Sequence, residues 1–265
     1  MRAMTAERPS TRWAAAGLMT LLVAPGVAIG AVDETLQREV ERRLSKKDAI
    51  AARVDVTVVG DEVTLDGTVA TLWEKEWAID RAKDTKGVAH VMSNLLIGRP
   101  ETDAELAGAV GNAIVRYPYY TVFDYVSATV MDGVVTLNGV VTPRPDKPAD
   151  LYERVSKVRG VQAIVNELDV LSPGIGDERL RGALARQMFG HPLFDRYRSL
   201  TPGFSIIVRN GYVTLKGVVF DQGDKILAES IARRTFGVIR VHNELVTREE
   251  LLEVTQSADG VGAGD

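Results

Sequence analysis

Apolar and polar residues alternate in the same way three times along this chain. Phe204, Ile206 and Val208 alternate with Ser205, Ile207 and Arg209, and beyond Asn210-Gly211 the alternation resumes with Val213 and Leu215 against Thr214 and Lys216. A period of two on both sides of a two-residue break predicts an antiparallel hairpin with one buried face. The pattern Val213-Thr214-Leu215-Lys216-Gly217 stands earlier as Val63-Thr64-Leu65-Asp66-Gly67 and as Val135-Thr136-Leu137-Asn138-Gly139. Each copy then reaches a Gly-Val pair at matched distance: Gly67 to Gly87 is 20 residues, Gly139 to Gly160 is 21, and Gly217 to Gly237 is 20. Self-similarity at a fixed period decides architecture before any single motif does.

Within one copy, the turn residues differ in a way that backbone geometry explains. Asn210-Gly211 and Asp132-Gly133 predict type I′ turns, which need φ > 0 at both central positions; Gly60-Asp61, with glycine first, predicts a type II′ turn. Gly67, Gly139 and Gly217 mark a close approach of another backbone or of a helix, or a bulge. A helical stretch follows, with Ala78 and Ala82, and Ala228 and Ala232, four apart for close docking on a sheet. Gly87, Gly160 and Gly237 are then expected as the left-handed residue that ends this helix. Closing strands are expected over 88–97, 161–171 and 238–247. Another helix precedes each hairpin, as in Asp33 to Lys46 with Leu36, Val40 and Leu44 on one face. Thr102-Asp103-Ala104-Glu105 reads as a capping box opening the second copy.

The predicted fold class is therefore α+β: three tandem αββαβ modules, each a three-stranded sheet with two helices on one face. Their expected spans are 32–98, 101–171 and 176–248, separated at Gly98-Arg99-Pro100 and at Ser172-Pro173-Gly174-Ile175-Gly176. Module 2 carries an aromatic insertion from Tyr117 to Tyr125 and a rigid proline-rich connection from Thr142 to Pro148 in place of the start of its second helix. Module 3 carries His191 to Tyr197 and Thr201-Pro202-Gly203. The polar, glycine-rich residues 255–265 are expected to be a disordered tail.

Composition changes the picture at two points. The chain has no cysteine, which removes disulfides, thiol catalysis and thiolate metal sites. Residues 1–31 place Arg2, Arg8 and Arg12 ahead of an apolar run, Trp13 to Ile29, that closes in small residues. That layout is expected to be a signal peptide cleaved between Ala28 and Ala31, the alternative being an uncleaved anchor. It predicts a periplasmic protein. With Glu7 and the three arginines removed, the net charge moves from −4 to −6.

The order helix, hairpin, helix, strand, with x-G-x-V-T-L-x-G-x-V followed by G-V-x-x-V-x-N-x-L, resembles the BON domain. Module 3 carries the pattern as Asn210-Gly211, Val213 to Gly217, Asp224, Gly237-Val238, Val241 and Asn243-Glu244-Leu245. Module 2 carries Asp132-Gly133, Val135 to Gly139, Gly160-Val161 and Asn166-Glu167-Leu168. Module 1 departs at the end, with Ser93 in the asparagine position and Asn94 one residue later. The resemblance implies non-enzymatic envelope modules associated with phospholipid binding and envelope integrity, including osmotic-stress tolerance.

The residues themselves point away from catalysis. His90, His191 and His242 stand in different modules without metal-ligand spacing, and no P-loop, Gly-x-Ser-x-Gly or His-Glu-x-x-His occurs. No catalytic residue, metal or cofactor is predicted. Asn166 and Asn243 are expected to bond backbone at a strand end. Two features are left to carry binding. One is aromatic: Trp73 and Trp77, four apart on a helix, and Tyr119 and Tyr120 in the insertion, all of which could equally fill space in the core or between modules. The other is charge: 33–97 holds 10 basic against 13 acidic residues and 102–171 holds 6 against 9, but 177–248 holds 12 against 7. A basic module in an acidic chain points to an anionic partner, or to docking on its acidic neighbours. Arg196 and Arg198 of the inserted loop, set beside Arg233 and Arg234, are the expected contacts. The expected partner is an anionic phospholipid surface; the alternative is an envelope protein, held by a periplasmic chaperone or scaffold through sheet edges and aromatic loops. Export and net acidity disfavour nucleic acid.

Overall fold

The computed structural model describes residues 33–47, 50, 53–98, 102–143, 146–197 and 203–253. The expected leader, the tail 255–265 and Arg198 lie outside the described residues. Module 1 comprises α1 (Glu34–Leu44), β1 (Val54–Val59), β2 (Glu62–Val69), α2 (Leu72–Lys83) and β3 (His90–Ile97). Module 2 comprises α3 (Asp103–Val115), β4 (Tyr125–Met131), β5 (Val134–Val141), α4 (Lys147–Ser156) and β6 (Ala163–Val170). Module 3 comprises α5 (Ile175–Phe189), a 3₁₀ turn (Pro192–Tyr197), β7 (Phe204–Arg209), β8 (Tyr212–Val219), α6 (Gln222–Arg234) and β9 (Arg240–Thr247). Helix α5 begins inside the stretch expected to be a linker. In each sheet the first two strands are antiparallel and the third joins the second in parallel, so the central strand lies between its two neighbours. A parallel partner needs a long crossover, which α2, α4 and α6 provide.

Each sheet buries one face against its two helices. Val54, Val56 and Val58 point into the core while Asp55, Thr57 and Val59 face out. Ala78 and Ala82, and Ala228 and Ala232, are fully buried, so these helices sit close on their sheets. The turns follow their sequences. Asp132 and Gly133 (φ 52° and 77°) and Asn210 and Gly211 (φ 53° and 79°) are both left-handed, whereas in module 1 only Gly60 is (φ 65°). First-turn aspartates brace two of these turns: Asp103 accepts from the Asp132 and Gly133 amides at 2.8 and 3.0 Å, and Asp177 from those of Asn210 and Gly211 at 2.7 and 2.9 Å.

The glycine of each V-T-L-x-G is required by a neighbouring backbone. A Cβ on Gly67, Gly139 or Gly217 would lie 2.1 Å from Arg53 O, 2.0 Å from Tyr125 O or 2.6 Å from Gly203 O, at φ near 130°. The later glycines act differently from the expectation. Helices α2, α4 and α6 end several residues earlier, and Gly87, Gly160 and Gly237 (φ 101°, 92° and 95°) are the third residues of turns closed by amide bonds Val88→Thr85, Val161→Val158 and Val238→Thr235. Positive φ at the third position is the type II arrangement, which glycine serves without steric cost.

The apolar interior falls into two bodies. One cluster runs without a break from Val40 of module 1 to Val161 of module 2. The other, Leu180 to Leu245, belongs to module 3, with Val122 and Phe123 of the module 2 insertion packed against it. The free edge of β7 is occupied: the Ile206 amide donates to Val122 O at 2.7 Å and Arg181 Nη2 donates to Val208 O at 3.0 Å. Covered edges cannot recruit a further strand.

Candidate functional site

No cluster of three or more histidine, cysteine or acidic side chains is arranged to hold a metal among the described residues. His191 accepts the Leu193 amide on its Nδ1 at 3.3 Å, as a turn histidine does. The family asparagines act inside their strands and not at the ends. Asn166 Nδ2 donates to Pro148 O at 3.1 Å and Asn243 Nδ2 to Lys225 O at 3.1 Å, tying strand to crossover helix. Ser93 occupies the same register opposite Leu65 that Asn166 holds opposite Leu137. There the tie passes to Lys75, whose ammonium donates to Leu95 O at 2.9 Å.

The aromatic candidates are used within the molecule. Trp73 and Trp77 are half-buried and stacked, with ring centroids 6.4 Å apart, and pack against the shared core of modules 1 and 2. Ammonium groups of Lys47 and Lys157 cover Trp73 at 4.4 and 5.2 Å from its centroid. Tyr120 is half-buried against the same core, and its hydroxyl accepts the Val126 amide at 3.4 Å. Tyr119 alone of this set is exposed, edge-on to buried Tyr117.

The insertion is organised by a buried ion pair that the sequence did not announce. Asp124 is fully buried and accepts from Lys147 Nζ at 2.8 Å, with Lys147 itself 1% exposed. Its two oxygens also take the amides and hydroxyls of Thr121 and Thr142 at 2.7 to 2.9 Å. So many donors compensate a charge removed from water. The main chain of Asp124 reaches module 3 by accepting the Ser205 hydroxyl at 2.5 Å.

The basic candidates divide. Arg196 does not stand beside Arg233. Its guanidinium pairs with Asp221 and Asp224 at the start of α6 and lies over Phe220, 4.6 Å from the centroid. Nine residues of helix separate Asp224 from Arg233, about 13 Å at the α-helical rise. Asp224, buried, is the centre of this end: Arg196 and the Tyr197 hydroxyl both donate to it, and the latter accepts the Phe220 amide at 2.7 Å. Burial and the Asp224 bond push the Tyr197 hydroxyl up to about 12. At the other end, Arg233 is exposed and pairs with Glu229 at 2.6 Å. The Asn243 amide and then Arg233 hold Glu229 below the usual carboxylate range.

Next to it, Arg234 is exposed and makes no ion pair among the described residues; the same holds for Arg240 and for Arg179 on α5. Between them the turn after α6 presents Phe236, 100% exposed, and Ile239, 68% exposed. A groove of about 580 Å³ runs beside this turn, lined by Arg179, Leu180, Ala183, Phe236 and Ile239. Sequence reasoning missed Arg179, Arg240 and Phe236. The signal was present as a substitution between copies: Lys86-Gly87 and Arg159-Gly160 become Phe236-Gly237.

Comparison with known proteins bears on the fold. A family model for the BON domain matches residues 32–99, 102–172 and 177–249. No curated protein matches the chain. Among solved structures the chain is similar to CdsD, a structural protein of the type III secretion system of Chlamydia trachomatis, at 14% identity, covering 83% of this chain and 97% of that one with a TM-score of 0.24. A structure of the C-terminal domain of CdsD matches at 15% identity over 80% and 96% with the same TM-score of 0.24. A putative arginine deiminase from Porphyromonas gingivalis matches at 14% identity over 77% and 52%, TM-score 0.16. Scores this low carry no inference about function.

Proposed function

Because the chain belongs to the BON-domain family, with three BON domains in tandem, we propose that it is an exported, non-catalytic binding protein of the bacterial envelope that docks on anionic phospholipid through its third module. BON domains form a non-catalytic binding family, and they are associated with phospholipid binding and with osmotic-stress proteins. The leader-like pattern of residues 1–31 supports the exported, periplasmic part of this reading. No helix of the described residues is long and apolar enough to cross a membrane.

The observation that carries the reading is the sign and freedom of charge on module 3. Modules 1 and 2 hold more acids than bases, whereas module 3 holds 12 bases to 7 acids, and Arg179, Arg234 and Arg240 are exposed around one end of it. A basic group near an anionic leaflet contributes about 1 kcal/mol. That attraction decays over about 8 Å at physiological salt. The scaffold alternative is less well supported, since Trp73, Trp77 and Tyr120 are packed and the β7 edge is occupied.

The test is co-sedimentation with vesicles containing phosphatidylglycerol. Arg234→Glu with Arg240→Glu is expected to weaken binding by about 2 kcal/mol or more, with an unchanged circular dichroism spectrum. The matched reversal Lys86→Glu with Arg159→Glu, in the equivalent turns of modules 1 and 2, is expected to leave binding intact. Equal loss in both variants, or loss in neither, contradicts the assignment to module 3.

A further inference from the structure

We propose that the turn between α6 and β9 is an insertion tip: Phe236 and Ile239 enter the hydrocarbon of an anionic leaflet while Arg234, Arg240 and Arg179 remain among its headgroups. This rests on the reading of module 3 as the lipid-facing module and adds a depth that charge alone does not require.

Single exposed apolar residues are ordinary on a protein surface. Here two large ones share one turn, with Phe236 fully exposed and Ile239 68% exposed. Exposed Arg234 stands two residues before Phe236 and exposed Arg240 directly follows Ile239, and the groove that they line is bordered by a third arginine, Arg179. An aromatic tip ringed by cations matches the layering of a membrane interface, apolar below and anionic above. Acidic groups nearby are already engaged: Asp177, on the same groove, holds the Asn210 and Gly211 amides, and Glu178 pairs with Arg181 at 2.9 Å.

The other two modules show what this turn looks like when it has a different task. Module 1 has Lys86 and Ala89 at these positions, and module 2 has Arg159 and Gln162. Gln162 lies over its hairpin glycine Gly133 as Ile239 lies over Gly211. In module 2 that position is covered: Gln162 Nε2 donates to Ile97 O and Gly98 O of module 1, each at 3.3 Å. Only in module 3 is the turn both apolar and uncovered by another module.

The turn is also held rigidly from behind. Thr235 is buried, with its hydroxyl 2.9 Å from Ile231 O and 3.0 Å from Gln187 Oε1. The Val238 amide closes the turn on Thr235 O at 3.2 Å, and the Ile239 amide donates to Gly211 O at 2.9 Å. A projecting side chain on a fixed turn loses little backbone freedom on insertion.

Because the chain has no cysteine, Phe236→Cys creates a unique labelling site in the full exported chain. A nitrobenzoxadiazole probe there, mixed with vesicles of equal parts phosphatidylglycerol and phosphatidylcholine, is expected to shift to the blue and to be quenched by nitroxides placed mid-way along the acyl chains. The same probe at Met131→Cys, on the outer face of module 2, is expected to do neither. Phe236→Ser is expected to weaken vesicle binding about tenfold or more, the scale of keeping a phenyl group in water, while the salt dependence of binding persists. An unshifted probe on a chain that still co-sediments overturns insertion and leaves charge docking standing. Failure to co-sediment at all sinks both readings. A shift without vesicles that grows with protein concentration means that a second copy covers the turn, and it also overturns the proposal.

Discussion

Modules 1 and 2 share one apolar core, whereas module 3 keeps its own and meets module 2 through hydrogen bonds, an ion pair and two apolar side chains of the insertion. At the first join one core passes from Val40 to Val161, and α2 touches α4, with Trp73 under Lys157 and Tyr152 bonded to Glu76. At the second join module 3 keeps its own core. It is held by the Ile206–Val122 and Ser205–Asp124 bonds, by two residues of the insertion, and by Arg209–Asp169 at 2.5 Å, whose side chains are 52% and 58% exposed. Three copies of one fold thus divide into a fused pair and a third unit with its own interior. Where a neighbour covers a turn, as at Gln162, the turn is polar and satisfied. Where none does, as at Phe236, the surface is free to change character.

The join between modules 2 and 3 depends most on Asp124. Replacing it with alanine leaves Lys147 as a buried charge without its carboxylate, which is expected to cost about 3–5 kcal/mol. The insertion that reaches module 3 loses its anchor at the same time. Denaturant melts followed by a module 3 probe and by the Trp73–Trp77 fluorescence are expected to separate further in the variant than in the wild type. Adding Lys147→Met should recover most of the loss; a double variant as unstable as the single one would mean that the pair is not the anchor.

A smaller effect sharpens the difference inside module 3. Gly211→Val puts a branched side chain at φ 79° with its Cβ 2.9 Å from Ile239 Cδ1, expected to lower stability by about 1–2 kcal/mol. If the two cores unfold separately, the loss appears only in the module 3 transition.

Next comes a pH dependence. The Tyr197 hydroxyl, raised to about 12 from 10.0, retains its proton more firmly in the folded state than in the unfolded chain. Its contribution is therefore complete below pH 10 and is lost as pH rises through 12. Melting temperatures taken across that window should fall more steeply for the wild type than for Tyr197→Phe; parallel profiles would contradict the Asp224 network.

The smallest change is expected at Arg209→Ala. An exposed pair contributes no more than about 1 kcal/mol, so module 3 should remain docked, as hydrogen exchange at the Ile206 amide would report. Loss of protection there would make the charge pair, and not the insertion, the main fastening.

Much of the fold was legible because it depends on local rules that the chain states three times. Turn types followed from Asn-Gly, Asp-Gly and Gly-Asp, and the close approach at Gly67, Gly139 and Gly217 from glycine recurring in a strand. Gly87 and its counterparts were misplaced by a few residues because a positive φ suits a helix end and a type II turn equally. The site was harder to read. Arg196 looked free because its partner Asp224 is 28 residues away. Lys147 lies in a proline-rich connection, and Asp124, 23 residues earlier, draws it inside, a pairing that no local pattern marks. Phe236 reads as core in any single-copy view, since a lone phenylalanine after a helix is ordinarily buried. Only alignment of the three turns marks it as out of place.

Under the proposed function, module 3 gives this acidic chain an affinity for anionic phospholipid. Its most direct test is co-sedimentation of the exported chain with phosphatidylcholine vesicles, with and without phosphatidylglycerol, at physiological and at high salt. Stronger binding to the anionic vesicles is expected, with a marked weakening as salt shortens the screening length from about 8 Å to about 3 Å. Equal affinity for neutral and anionic vesicles, unchanged by salt, would contradict it.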